Sequence, residues 1–116
     1  MVSTVSTGAA VYIAVGTTDL RKSINGLSII VQEHYDLDPF SGAVFAFCNR
    51  RRNILKLLYW HRNGFCLWQK RLSQDKFPWP TSDCELLEVS HRELSWLLEG
   101  LKIEQAHKQL DYSTVI

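Results

Sequence analysis

The sequence predicts a single α+β domain, an antiparallel sheet with a central Asn-Gly hairpin and two helices packed on it. Three observations predict it. Short β-rich runs are separated by clusters of turn residues. Asn63-Gly64 lies between two such runs, and Asn-Gly suits a two-residue type I′ turn, which needs positive φ at both positions. Two further stretches, one before the β-rich region and one after it, space their apolar residues as helices do. A chain of 116 residues is one domain's worth and can bury a core without disulfides or metal.

The elements follow in order. Residues 1–8 are small and polar and read as a flexible N-terminus, 9–102 as the domain, and 103–116 as a polar C-terminal tail. Val11–Val15 is an apolar run ending at Gly16, as in a buried strand. Thr17, Thr18 or Asp19 suits a helix N-cap, and Leu20, Ile24, Leu27, Val31 and Tyr35 then predict a helix over 19–34. Gly26 inside it suggests a close approach by another element. DLDPFSG (36–42) is turn chemistry. AVFAFC (43–48), ILKLLYW (54–60) and FCLWQKRL (65–72) are strands, and the prolines of FPWP (77–80) forbid a central strand. Glu85–Val89 reads as a short edge strand. Ser90 with Glu93 forms a capping box for a helix over 91–99, which Gly100 ends.

The net charge is only +1, yet the charge is unevenly placed. From Asn49 to Lys76 the chain carries Arg50, Arg51, Arg52, Lys56, Arg62, Lys70, Arg71 and Lys76 against the single acid Asp75. From Thr81 onward acids outnumber bases. Such asymmetry suits a face for polyanions. With Asn63-Gly64 as the turn, Lys56 falls opposite Arg71 and Trp60 opposite Leu67. An opposed pair of cations destabilises a sheet unless an anion meets it. Cations beside Trp suit nucleic acid, because phosphates take Arg and Lys and bases stack on rings. The plainer alternative is a core Trp flanked by solvated cations. Arg21 and Lys22, in the first turn of the first helix, would oppose its dipole, and a bound phosphate would relieve that. The candidate nucleic-acid-binding residues are therefore Arg21, Lys22, Arg50, Arg51, Arg52, Lys56, Trp60, Arg62, Lys70 and Arg71.

Signs of catalysis are sparse. His34, His61, His91 and His107 and the three cysteines do not fall at metal-ligand spacing. Asp36 and Asp38 are better explained as turn residues. Ser23, Ser28 and Ser41 lack evident partners, and a Cys48 or Cys66 nucleophile facing His61 lacks a third orienting group. No catalytic, cofactor or metal site is expected. An odd cysteine count without C-x-x-C argues against a disulfide framework and suits a reducing cytoplasm. No apolar run approaches the roughly 20 residues of a membrane span.

TDLRKSINGL (18–27), DPFSGAVFAF (38–47), RRNILKLLYWHRNGFCLWQKRL (51–72) and FPWP (77–80) stand in one order and spacing. They resemble the TnpB accessory proteins of the insertion sequence sixty-six family, whose pattern includes T-D-(M/L)-R-K, D-P-(F/Y)-S-G, G-x-x-L-x-x-K-R-L and F-x-W-P. The name is shared with an unrelated RNA-guided nuclease. The resemblance covers about residues 10–80 well and the rest loosely. It implies a bacterial mobile-element protein that assists a separate, larger transposase and carries no catalytic residues itself. Arg21, Lys22, Arg51, Lys56, Lys70 and Arg71 fit the family pattern. Ser23-Ile24-Asn25 departs from the usual Gly-Phe-Asp and removes an acid there.

Three functions compete. The first is a non-catalytic transposition accessory protein that binds DNA through the basic hairpin. The second is an adaptor that contacts the transposase, or another copy of itself, through Phe77, Trp79 and the hairpin. The third, a small metal-dependent nuclease, needs clustered carboxylates.

Overall fold

The computed structural model describes residues 8–103. The expectations for 1–8 and 103–116 lie outside the described residues, apart from Gly8 and Ile103. Among the described residues five strands form one sheet: β1 (Val11–Ala14), β2 (Val44–Cys48), β3 (Ile54–His61), β4 (Gly64–Arg71) and β5 (Leu86–Val89), in the spatial order β4-β3-β2-β1-β5. The helices are α1 (Ile24–Ile29), which runs on into a π-helical turn (Ile30–His34), and α2 (His91–Leu98).

The sheet is mixed, not purely antiparallel. β1 runs parallel to β2, with Val11 opposite Val44 and Ile13 opposite Ala46, while every other neighbouring pair is antiparallel. Parallel neighbours need a long crossover. Here residues 15–43, with α1 among them, provide it. The hairpin of β3 and β4 lies at one edge of the sheet and not at its centre.

The helices take opposite faces. Leu27 and Val31 join Leu20 against Phe45, Phe47 and Leu58. Leu94, Leu97 and Leu98 of α2 pack on Val44, Ala46, Leu55, Leu57 and Tyr59. β2 is buried at all five positions, the mark of a strand covered on both sides.

α1 is shorter than its spacing suggested. Residues 17–22 form a turn in which Thr18 N–H donates to the Cys48 carbonyl (2.9 Å) and Lys22 N–H to the Asp19 carbonyl (3.2 Å). Ser23 is the N-cap and makes no side-chain cap bond. Arg21 and Lys22 therefore precede the helix and do not oppose its dipole. The close approach at Gly26 is made by Lys22, whose Cβ would lie 3.1 Å from a Cβ built there. α2 follows expectation. Glu93 N–H donates to Ser90 Oγ, and Ser90 N–H to Glu93 Oε1, both at 3.0 Å. Gly100, at φ +87°, follows its C-cap.

The hairpin turn is Arg62-Asn63, because His61 pairs with Gly64. Arg62 has φ 57° while Asn63 and Gly64 keep negative φ, so this is not the type I′ turn expected of Asn-Gly. Trp60 now faces Phe65, Lys56 faces Gln69, and Arg71 faces Ile54. The opposed Lys56–Arg71 pair does not form. Each strand has slid by one residue, so every side chain keeps its face, and the apolar pattern is equally satisfied by both registers.

Phe77 and Trp79 are core residues, 1% and 5% exposed, which removes them from any adaptor surface. Trp79 Nε1–H donates to the Ala14 carbonyl (2.8 Å), tying FPWP to β1. Trp79→Phe keeps an aromatic side chain but removes the Nε1–H donor to that carbonyl. It should cost about 1–3 kcal/mol, read as a lower urea midpoint with an unchanged slope.

Candidate nucleic-acid interface

The β2–β3 connection is built by its asparagines. Asn49 Oδ1 accepts from the N–H groups of Asn53 and Ile54, both at 3.0 Å, and Asn49 Nδ2 donates to Asn53 Oδ1 at 2.7 Å. Arg52 holds a left-handed conformation (φ 60°), and its carbonyl accepts from Phe77 N–H at 2.7 Å. The Arg52 guanidinium donates to the Trp79 carbonyl (3.1 Å). A turn clamped this way leaves Arg50 and Arg51 exposed, with no hydrogen bond or ion pair to any described residue.

Across from this turn stands the Thr17–Arg21 turn. An open groove of about 720 Å³ lies between them, lined by Thr17–Arg21, Asn49, Arg50, Arg51, Ile54, Lys56 and Gln69. Lys56 Nζ donates to the Leu20 carbonyl at 2.6 Å, joining floor to wall. An ammonium has three donors, so this bond leaves two for another acceptor. Among the described residues the only carboxylate in the lining is Asp19. Arg21 grips it through Nε (2.9 Å) and Nη2 (2.8 Å). The Arg21 hydrogen bonds hold the Asp19 carboxyl well below the usual carboxylate range. Asp19 is thus ionised at neutral pH and offsets Arg21, while Arg50 and Arg51 carry charge that no described acid neutralises.

The structure therefore sorts the sequence candidates. Arg21, Arg50, Arg51 and Lys56 converge on the groove. Arg71 is exposed, one position beyond Gln69 on the same face of β4. Lys22 is exposed beside α1. Arg52 is committed to the fold. Lys70 points to the other face, where its Nζ donates to the Leu98 carbonyl (2.7 Å) at the end of α2. Trp60 and Arg62 lie at the far end of β3, the strand running about 20 Å from Ile54 to Trp60 at 3.3 Å per residue.

At that far end is a residue the candidates did not include. Phe40 is 54% exposed, and its ring lies 5.0 Å from Trp60 and 5.2 Å from Phe65, which are themselves 5.0 Å apart. Asp38 builds the turn that presents it, accepting Phe40 N–H at its Oδ1 (2.9 Å). The available signal was an aromatic residue set inside turn chemistry, Asp-Pro-Phe-Ser-Gly.

The thiols give little chemistry to this face. Burial pushes the Cys48 thiol up to about 11. Cys66 faces Tyr59 and not His61. Among the described residues no three His, Cys, Asp or Glu side chains gather as a metal site, and no helix is long and apolar enough to cross a membrane.

A small α+β domain with a helix on each face and a groove holding two arginines that no described acid neutralises is the class that fold and site define. The chain matches the model of the family described as IS66 Orf2 like protein over residues 9–108, and it belongs to that family. Family membership makes it an insertion-sequence accessory protein. It is 37% identical over 91 residues to the uncharacterized protein y4hO of Sinorhizobium fredii, covering 78% of this chain and 79% of that one. It is 33% identical over 96 residues to y4jC of the same organism, also uncharacterized, covering 83% and 82%. No solved structure matches.

The division between structural and free arginines has a direct consequence for stability. Arg52→Ala should cost about 1–2 kcal/mol, through the lost bond to Trp79. Arg50→Ala and Arg51→Ala should stay within about 0.5 kcal/mol of wild type. Denaturant melts of the three variants check this ordering.

Proposed function

We propose that this protein is a non-catalytic accessory factor of transposition that holds DNA by its phosphates in the groove between the Thr17–Arg21 and Asn49–Arg52 turns. The observation that carries the reading is the pair Arg50 and Arg51, exposed on a clamped turn above Lys56 and facing no free carboxylate. Exposed arginines on a clamped turn suit phosphate, because the guanidinium fork matches its oxygens and the main chain that carries them is already ordered. Contacts of this kind position a duplex or single strand without reading its bases. Burial of the Cys48 thiol, which disfavours the thiolate, supports a binding role over nucleophilic catalysis by that residue.

A second reading, contact with the element's transposase, is favoured by one observation. Phe40 stands half exposed on the Trp60–Phe65 pair, and aromatic clusters of this kind anchor protein interfaces. Phe40→Ala should then release transposase in a nuclease-treated co-purification while leaving DNA affinity unchanged.

The DNA reading is tested by titrating labelled single- and double-stranded DNA, with and without the element's terminal repeats, at several salt concentrations. Affinity should fall steeply with salt, and Arg50→Ala/Arg51→Ala should lower the log–log slope by about 2 and weaken all sequences alike. Arg92→Ala, on the opposite side of the sheet, should change nothing. A flat salt response in the wild type would overturn the reading.

A further inference from the structure

The two edges of the sheet are protected very unequally. β5, at one edge, has four residues, with Glu88 exposed within it and Glu85 exposed just before it. A short, charged edge strand is what soluble proteins use to prevent pairing. β4, at the other edge, has eight residues paired to β3 in unbroken register, with no proline and no bulge. Its only cations are at one end: Lys70, whose ammonium is drawn to Leu98, and Arg71.

The outward main chain of β4 can be read from the ladder. Leu72 N–H donates to the Asn53 carbonyl (2.8 Å). Alternation along the strand then turns Lys70, Trp68, Cys66 and Gly64 toward β3, and Arg71, Gln69, Leu67 and Phe65 away from it. No described residue hydrogen-bonds the main chain of these last four. Their side chains share a face with the groove, and Gln69 lines it.

We propose that β4 pairs antiparallel with β4 of a second copy, joining two sheets into one of twice the width about a two-fold axis at Trp68. Only registers that place outward residues opposite one another satisfy the main chain. Of these, the one using all four outward residues sets Phe65 opposite Arg71, Leu67 opposite Gln69, Cys66 opposite Lys70, and Trp68 opposite Trp68. No two cations oppose each other. Arg71 meets the ring of Phe65, and the two indoles form a non-hydrogen-bonded cross-strand pair, the closer of the two kinds. Because the axis is perpendicular to the sheet, both grooves fall on the same side of the dimer. The proposal does not depend on DNA binding, and its test contains no DNA.

Sedimentation equilibrium of the wild type should show a species of twice the 13.4 kDa chain mass at micromolar concentration. Leu67→Pro removes an outward N–H and leaves the β3 ladder intact, so the dimer should weaken at least about tenfold with the circular dichroism preserved. In a Cys66→Ser/Cys84→Ser background, Trp68→Cys should form an interchain disulfide under mild oxidation, since only a dyad at this position brings the two sulfurs together. A wild type that stays monomeric to about 100 µM, a folded Leu67→Pro that dimerises normally, or a dimer in which Trp68→Cys does not cross-link would each overturn the proposal.

Discussion

β2 is buried at every position, and the rest of the architecture answers that constraint. A strand with no polar side cannot face water, so its sheet must be covered twice. The crossover between parallel β1 and β2 brings α1 to one face, and the chain after β4 brings FPWP and α2 to the other. The layers are held by direct bonds as well as by packing. Trp79 reaches from FPWP to Ala14, and Lys56 reaches from the sheet to Leu20. Both acceptors are main-chain carbonyls, Ala14 at the end of β1 and Leu20 in the turn before α1.

The same economy decides which cations are available to a partner. Arg52, Lys56 and Lys70 each donate to a main-chain carbonyl far away in sequence, at Trp79, Leu20 and Leu98. Arg21 is matched to Asp19 at close range. Lys22, Arg62 and Arg71 stay exposed elsewhere on the surface, and Arg50 and Arg51 are left on a turn whose asparagine bonds hold its main chain in place. A rigid turn with free arginines is therefore a by-product of how the β2–β3 connection is satisfied, and it stands where the Thr17–Arg21 turn closes a groove around it. The exposed ring of Phe40 marks a separate surface at the other end of β3, so the face of the sheet under α1 carries one charged and one aromatic end.

Much of this protein was legible locally. The capping box of Ser90 and Glu93, Gly100 after the helix, the strand boundaries to within a residue or two, and the linked motifs of the family all lie in short windows of sequence, where spacing and turn chemistry act without help from the rest of the chain. One further signal was present in AVFAFC, whose unbroken apolar run marks a strand covered on both faces. Leu20 misled in the opposite way. Its spacing fits the helix, but it is buried from a turn, where the apolar residue is retained and the helix is not.

What the sequence by itself determined was the set of elements, the faces of the hairpin and the family, because these depend on residues near one another in the chain. Tertiary structure alone decided the parallel pairing of β1 with β2, the hairpin register, and which arginines and lysines stay free. Those depend on partners many residues apart. A slide of one residue on each strand keeps every side chain on its face, and a lysine donates equally well to water or to a distant carbonyl, so only the assembled fold distinguishes the alternatives.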